Sequence, residues 1–238
     1  MSLDSDSLPL HKYLKPHKEI LRRHKAHWTD SYPRFATILS VIMFFASVTV
    51  NYFAEIYATE SASNPVTDII LSNTRVFDVD AIFVYGAVAL IVFNIALLFL
   101  NPKRIPFTLH SFTLFYLTRA MFITLTHIGP FPVHAVFDFG SVITRVIFGG
   151  GLFFSAHTGA PFLMALLFWK DKILRYIFIA WSVLFAVTVL LGHLHYTIDV
   201  VSAYFITYTI FHIAELIFKK DRELFHREPD AVIAVPQT

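Results

Sequence analysis

Six long apolar stretches restrict the folds that this chain can adopt. They lie at residues 36–58, 79–100, 107–127, 151–169, 173–192 and 195–218. A helix needs about 20 apolar residues to cross the hydrocarbon core of a bilayer. Each stretch is predicted to be helical because lipid offers no partner to free backbone groups, and no alternating β-barrel pattern is visible. We therefore predict an all-α polytopic membrane protein with six transmembrane helices and one membrane domain at 36–218.

The distribution of Lys and Arg predicts the orientation of these helices. Of the 19 basic residues, seven precede residue 36, two lie at 101–106, three at 170–175 and four after residue 218. Sixteen of the 19 thus lie on one side of a six-helix arrangement, which is predicted to be cytoplasmic. Both termini are then cytoplasmic. This distribution also explains the net charge of +2, and no nucleic-acid-binding signature is present.

The two terminal segments are polar. Residues 1–35 form a basic arm in which "HKEILRRHKAHW" could lie along a headgroup surface or serve only as a positively charged topological anchor. Residues 219–238 form a short polar tail, which we expect to be mobile from about Asp221 onward. The chain has no cysteine, which excludes disulfides, thiolate catalysis and Cys-ligated metal within it.

Three ionisable residues are candidates for catalysis, because polar groups retained in membrane helices usually face the interior and act there. His195 and Asp199 are four residues apart in "GHLHYTIDV", and are predicted to share one helix face. The carboxylate would then hold one ring nitrogen and leave the other as nucleophile or base. His157 begins the fourth stretch, on the same predicted side of the membrane, so the three groups can meet.

This set of residues favours phosphoryl chemistry over acyl transfer. One histidine can attack phosphorus while the other protonates the departing oxygen. "GGG" at 149–151 precedes a predicted helix N-terminus, a suitable place for a phosphate. Arg119, inside the third stretch, is predicted to bind an anion, or alternatively to pair with Asp138 or Asp199. Arg145 could bind phosphate or be only a loop cation.

A metal site at His157, His193 and His195 is the competing interpretation. The two rings of an H-x-H pair do not share a helix face, and a single carboxylate is weak support for a metal centre. We therefore predict neither a metal nor a cofactor.

Two segments resemble the sphingomyelin synthase branch of the type 2 phosphatidic acid phosphatase superfamily. "GGGLFFSAHT" is similar to the C-G-D-x-x-[FY]-S-G-H-T block of that branch, and "HLHYTIDVVSAYF" is similar to its H-Y-[ST]-x-D-V-x-x-A-Y block. "FYLTRAMFITLTHIGPFP" is a looser third match. The chain departs from the blocks at Gly151, Ala156 and Leu194, where the branch has Asp, Gly and often an acidic residue.

The resemblance implies roles for residues in these blocks. His195 would form a phospho-histidine intermediate, Asp199 would orient it, and His157 would protonate the leaving lipid hydroxyl without a metal. Ser155 and Tyr196, which belong to the same blocks, are assigned with Arg119 and Arg145 to substrate binding.

The implied activity is transfer of a phospho-head-group, of phosphocholine or phosphoethanolamine type, from a glycerophospholipid to ceramide or another lipid alcohol on the extracytoplasmic side. Phospholipid and lipid-alcohol substrates and membrane lipids are thus the expected partners, and the oligomeric state stays open. One alternative is a lipid phosphate phosphatase that uses the same residues with water as acceptor. A non-catalytic lipid-binding membrane scaffold is the alternative of another class.

Overall fold

The computed structural model describes residues 16–135 and 152–227, and these two ranges contain helices but no strand. The helices are α1 (Pro16–Thr29), α2 (Ser31–Glu60), α3 (Asp80–Leu100), α4 (Ile105–Leu125), α5 (Ala156–Leu167), α6 (Lys172–Leu191), α7 (Thr197–Ile217) and α8 (Lys219–His226). Short 3₁₀ turns occur at Leu71–Asn73 and Pro102–Arg104. The prediction of an all-α membrane protein is therefore supported.

Each of the six predicted stretches contains a helix, but six membrane crossings are not confirmed. Four helices are long and apolar enough to span a bilayer, namely α2, α3, α6 and α7. α4 has 21 residues but is too polar to qualify, because it carries buried polar residues along its length. α5 has only 12 residues, or about 18 Å at 1.5 Å per residue, against a hydrocarbon core of about 30 Å.

Polar side chains define where three helices begin. Asp30 Oδ1 accepts a hydrogen bond from the Tyr32 amide at 3.2 Å, and Asp171 Oδ1 accepts one from the Leu174 amide at 3.1 Å. Ser155 is the N-cap of α5 and accepts a hydrogen bond from the amide of Thr158 at 3.4 Å. Such caps satisfy amides that have no partner in the first turn of a helix. They explain why α2 starts at Ser31, five residues before the predicted apolar stretch.

The short helix α5 lies at the centre of the bundle and contacts α4, α6 and α7. Its residues Leu163, Met164 and Ala165 are fully buried. Gly159 permits this close packing, since a Cβ there would approach Phe115 of α4 and Thr207 of α7 to 2.8 Å. The core of the bundle is thus built around α5.

The connections gather at two opposite ends of the bundle. At one end, the Phe77 amide donates to the Leu191 carbonyl at 2.9 Å and the Ala135 amide donates to the Gly192 carbonyl at 2.9 Å. This end holds the start of α7, and we call it the loop end. At the other end, which we call the terminal end, α1 and α8 pack against the 3₁₀ turn at Pro102–Arg104.

Each terminal segment contributes a helix to the bundle. Within the basic arm, Pro16–Thr29 forms α1. Within the tail, Lys219–His226 forms α8, which buries Asp221, Leu224 and Phe225. The expectation of mobility from about Asp221 onward is therefore wrong for residues 221–226, because the apolar and acidic residues of α8 have partners in the bundle.

Candidate active site

The starts of α5 and α7 are joined at the loop end. The Ser155 amide donates a hydrogen bond to the Asp199 carbonyl at 3.2 Å. His157, the second residue of α5, is close enough to His195 for the two rings to interact electrostatically. The two blocks that carry the predicted catalytic residues therefore meet in one place, although they are distant in the sequence.

His195 and Asp199 form a buried pair, but not in the predicted way. His195 Nδ1 lies 3.4 Å from Asp199 Oδ2, and the exposed fractions of the two residues are 6% and 0%. α7 starts at Thr197, so His195 precedes the helix and does not share a helical face with Asp199. The contact forms because the Asp199 carboxylate turns back over the first turn, where Oδ2 also accepts the Tyr196 amide at 2.9 Å.

The geometry leaves the other histidine nitrogen available for chemistry. With Nδ1 directed at the carboxylate, Nε2 of His195 is the atom that could attack an electrophile. Asp199 Oδ1 is buried and has no hydrogen-bond partner in the described part of the chain. A carboxylate held in this way stabilises positive charge on the imidazole.

His157 is packed against two aromatic rings. Its ring centroid lies 4.3 Å from that of Phe83 in α3 and 5.9 Å from that of Phe185 in α6. These contacts restrict the orientation of the imidazole. α3 and α6 thus contribute to a site whose polar residues come from α5 and α7.

Asp68, in the connection between α2 and α3, holds the first residue of α7. Its carboxylate accepts hydrogen bonds from the Thr197 amide at 2.6 Å and the Thr197 hydroxyl at 2.8 Å. It also accepts the amides of Ile70 and Leu71. Burial raises the pKa of Asp68, but the hydrogen bonds from Leu71 and Thr197 outweigh burial and hold that pKa below its ordinary value. Asp68 was not predicted, because its partner is 129 residues away.

The segment that carries this site matches a known family. Residues 150–216 match the family model described as PAP2 superfamily C-terminal. This match supports membership of the PAP2 superfamily. Members of this superfamily are generally phosphatases or phosphotransferases. The match does not single out the sphingomyelin synthase branch.

Two further comparisons add no relatives. Neither the search of curated proteins nor the search of solved structures found a significant match to this chain.

Arg119 lies outside the PAP2 segment and is engaged by α2. Its guanidinium forms an ion pair with Glu55, and Nη1 donates to Asn51 Oδ1 at 3.1 Å. Asn51 Nδ2 in turn donates to Glu55 Oε1 at 2.9 Å. The pairing partner is therefore Glu55 and not Asp199, and Asp138 lies outside the described residues. Binding of substrate by Arg119 stays a prediction.

Glu55 and Asn51 were missed by the sequence reasoning. A signal was present, because an acidic residue inside a predicted membrane helix calls for a partner. Arg119 Nε also donates to the Phe154 carbonyl at 3.1 Å, next to the N-cap of α5. The network from α2 through Arg119 thus reaches the segment that carries His157.

The side chains of Ser155 and Tyr196 make contacts that hold the site together. Ser155 Oγ caps α5 and is bonded to the Thr158 hydroxyl at 3.2 Å. The Tyr196 hydroxyl donates to the Gly129 carbonyl at 2.9 Å and accepts the Val66 amide at 3.2 Å. Substrate binding by either residue stays a prediction beside these structural contacts.

His193 is directed away from the candidate site. It has a left-handed backbone conformation, with φ of 54°. Its Nδ1 donates to the Val133 carbonyl at 2.8 Å, and its Nε2 lies 3.2 Å from the Thr74 hydroxyl. Both ring nitrogens are therefore used by the loops, which disfavours the alternative metal set of His157, His193 and His195. No group of three or more potential metal ligands occurs within residues 16–135 and 152–227.

Arg145 and the glycines at 149–151 lie outside the described residues. Their assignments to phosphate binding stay predictions from the sequence.

Proposed function

We propose that this protein is a membrane lipid phosphotransferase that uses His195 as nucleophile and His157 as general acid. The observation that carries the proposal is the hydrogen bond of 3.2 Å between the Ser155 amide and the Asp199 carbonyl. It joins the start of α5 to the start of α7, so that one donor molecule can contact both histidines. The PAP2 match over the same residues supports phosphoryl chemistry at this place.

In the first step, His195 Nε2 attacks the phosphorus of a glycerophospholipid head group. The N–P bond forms while the bond from phosphorus to the glycerol oxygen breaks, and His157 gives its proton to that oxygen. Diacylglycerol leaves with this proton. Asp199 accepts the hydrogen bond of His195 Nδ1 and stabilises the positive charge on the ring.

In the second step, a lipid hydroxyl attacks the phosphorus of the phospho-histidine. Neutral His157 removes the hydroxyl proton as the new P–O bond forms and the N–P bond breaks. His195 returns to its neutral form, and His157 is protonated again. Ceramide or a similar lipid alcohol is the proposed acceptor.

Burial of the site supports a lipid acceptor over water. His195 is 6% exposed and Asp199 is fully buried, which limits hydrolysis of a reactive intermediate. The runner-up function is a lipid phosphate phosphatase, which the PAP2 match equally permits.

An assay with labelled phosphatidylcholine tests the proposal. Purified protein should release diacylglycerol only when a lipid alcohol such as ceramide is supplied. Release of free phosphate from phosphatidic acid would instead select the phosphatase. His195→Ala should abolish either activity. It should also abolish the acid-labile label that the phospho-histidine intermediate leaves on the protein.

A matched control is His212→Ala, because His212 is an exposed histidine bonded to Glu215 on the same helix at 3.0 Å. This variant should keep full turnover. Unchanged turnover in His195→Ala would overturn the assignment of the nucleophile. His157→Ala should be rescued by a donor with a better leaving group far more than His195→Ala, since only the former lacks a proton donor.

A further inference from the structure

One side of α1 is fastened to the terminal end of the bundle. Arg23 Nη1 donates to the Leu100 carbonyl at 3.3 Å, and His24 Nε2 donates to the Phe99 carbonyl at 2.8 Å. His27 Nε2 is hydrogen-bonded to the Thr37 hydroxyl at 2.8 Å. These contacts hold α1 where α2 begins and α3 ends, at one end of two helices that are long and apolar enough to cross a bilayer.

The opposite side of α1 is exposed and carries both apolar and basic residues. Leu21 is 66% exposed and Trp28 is 42% exposed. Lys18 and Lys25 are also exposed, and the spacing of three or four residues places all four on one side of the helix. We call Lys18, Leu21, Lys25 and Trp28 the outer face of α1.

The charge of α1 is strongly positive. Its sequence, PHKEILRRHKAHWT, holds four Lys or Arg residues and one acidic residue, Glu19. Glu19 lies on the buried side and is paired with Arg22 at 2.9 Å and Arg23 at 3.0 Å. The hydrogen bond from Arg22 lowers the pKa of Glu19 to about 2, despite partial burial. The outer face therefore carries two lysines and no acidic residue.

We infer that the outer face of α1 binds the anionic headgroups of the adjacent bilayer leaflet. Trp28 and Leu21 would enter the boundary between headgroups and acyl chains, and Lys18 and Lys25 would contact lipid phosphates. A segment that only sets the topology needs positive charge, but it does not need exposed apolar residues on the same side of the helix as its lysines. Only Asp30 separates α1 from α2, so α1 stays next to the first residues of α2. This inference does not depend on the catalytic proposal.

The fluorescence of Trp28 tests this inference in the full chain. The protein has three tryptophans, and Trp169→Phe with Trp181→Phe leaves Trp28 alone. This variant is reconstituted into vesicles of phosphatidylcholine, or of phosphatidylcholine mixed with phosphatidylserine, with brominated acyl chains as quencher. Trp28 emission should shift to the blue and be quenched more strongly in the anionic vesicles, and salt should reduce the difference.

Changes to the lysines provide the second arm. Lys18→Gln and Lys25→Gln should each lower the ratio of docked to undocked α1 in anionic vesicles by about fivefold. The control is Lys219→Gln with Lys220→Gln, which removes two cations from α8 at the same end and should leave Trp28 unchanged. Equal quenching in neutral and anionic vesicles, or a Trp28 open to aqueous iodide in both, would overturn the inference.

Discussion

Glu55 and Arg119 form a buried ion pair beside the segment that leads into α5. The exposed fractions of the two side chains are 9% and 3%, and Asn51 bonds to both. A buried charge that loses its counter-charge costs several kcal/mol, even where the intact pair contributes little. The pair therefore keeps Arg119 directed at the Phe154 carbonyl, beside the start of α5.

Replacement of Glu55 should destabilise the protein by about 3 kcal/mol, because Glu55→Gln removes the carboxylate of a buried ion pair. Unfolding in mixed micelles of mild detergent and dodecyl sulfate measures this loss. The double variant Glu55→Gln with Arg119→Gln should recover part of the stability, since both members of this ion pair are then neutral.

Glu60→Gln is the matched control, because Glu60 is an exposed carboxylate at the end of the same helix. It should change the stability by less than about 0.5 kcal/mol. A Glu55→Gln protein as stable as this control would show that Arg119 does not need its partner.

The start of α7 is held by two connections, the one between α2 and α3 and the one between α4 and α5. Asp68 binds the first residue of α7, and the Tyr196 hydroxyl bridges Val66 to Gly129. Gly129 approaches the neighbouring connection so closely that a Cβ would lie 2.2 Å from the Ser63 carbonyl oxygen. The loops therefore position His195, which has no helix of its own to hold it.

Asp68 should make the stability of this end depend on pH. Its folded-state pKa lies below the unfolded value, which is about 3.9. Its contribution is therefore complete above the unfolded pKa and is lost as the pH falls through the folded pKa. Asp68→Asn should cost about 2 kcal/mol at neutral pH, and the difference from the unsubstituted protein should shrink as the pH approaches about 3.

Thermal unfolding of both proteins across this range gives the measurement. Asp78→Asn serves as control, because Asp78 is exposed and accepts the amide of Asp80, the first residue of α3, at 3.1 Å. A stability difference for Asp68→Asn that stays constant down to pH 3 would contradict the expected linkage.

The lengths of the apolar stretches predicted the positions of the most apolar helices. The fifth and sixth stretches, 173–192 and 195–218, differ from α6 and α7 by two residues at most. The fourth stretch was predicted to begin at residue 151, but α5 begins at Ala156. Residues 152–154 are apolar like the helix that follows them, although they lie in a loop. Hydropathy records which residues avoid water and not which backbone they adopt.

The candidate site was only partly accessible from the sequence. His157, His195 and Asp199 stand out as ionisable residues among apolar ones, and the structure brings their segments together. Glu55 and Asp68 are equally polar, but their functions depend on Arg119 and Thr197, which are 64 and 129 residues away. Such pairs arise from the tertiary fold, so no local pattern predicts them.

The two ends of the bundle differ in what they carry. The loop end carries the candidate site, and the terminal end closes the bundle with α8. Asp221 of α8 accepts a hydrogen bond from the Tyr32 hydroxyl at 2.7 Å and from His110 Nδ1 at 2.8 Å. Arg104 lies over the ring of Phe225 at 5.6 Å. α8 thus fastens the start of α2 to α4.

Loss of the Asp221 carboxylate should release α8 without disabling the site. Asp221→Ala leaves the buried ring of His110 and the exposed Tyr32 without their acceptor, at a cost of about 3 kcal/mol. Limited proteolysis should then cut at Lys219, Lys220 or Arg222 at a temperature where the unsubstituted protein resists. Turnover at a permissive temperature should stay unchanged, because the candidate site lies at the opposite end of the bundle.

Glu223→Ala, at an exposed carboxylate two residues away, should match the unsubstituted protein in both measurements. Equal protease resistance of the two variants would mean that Leu224 and Phe225 alone hold α8, whereas lost turnover in Asp221→Ala would show that the two ends are coupled.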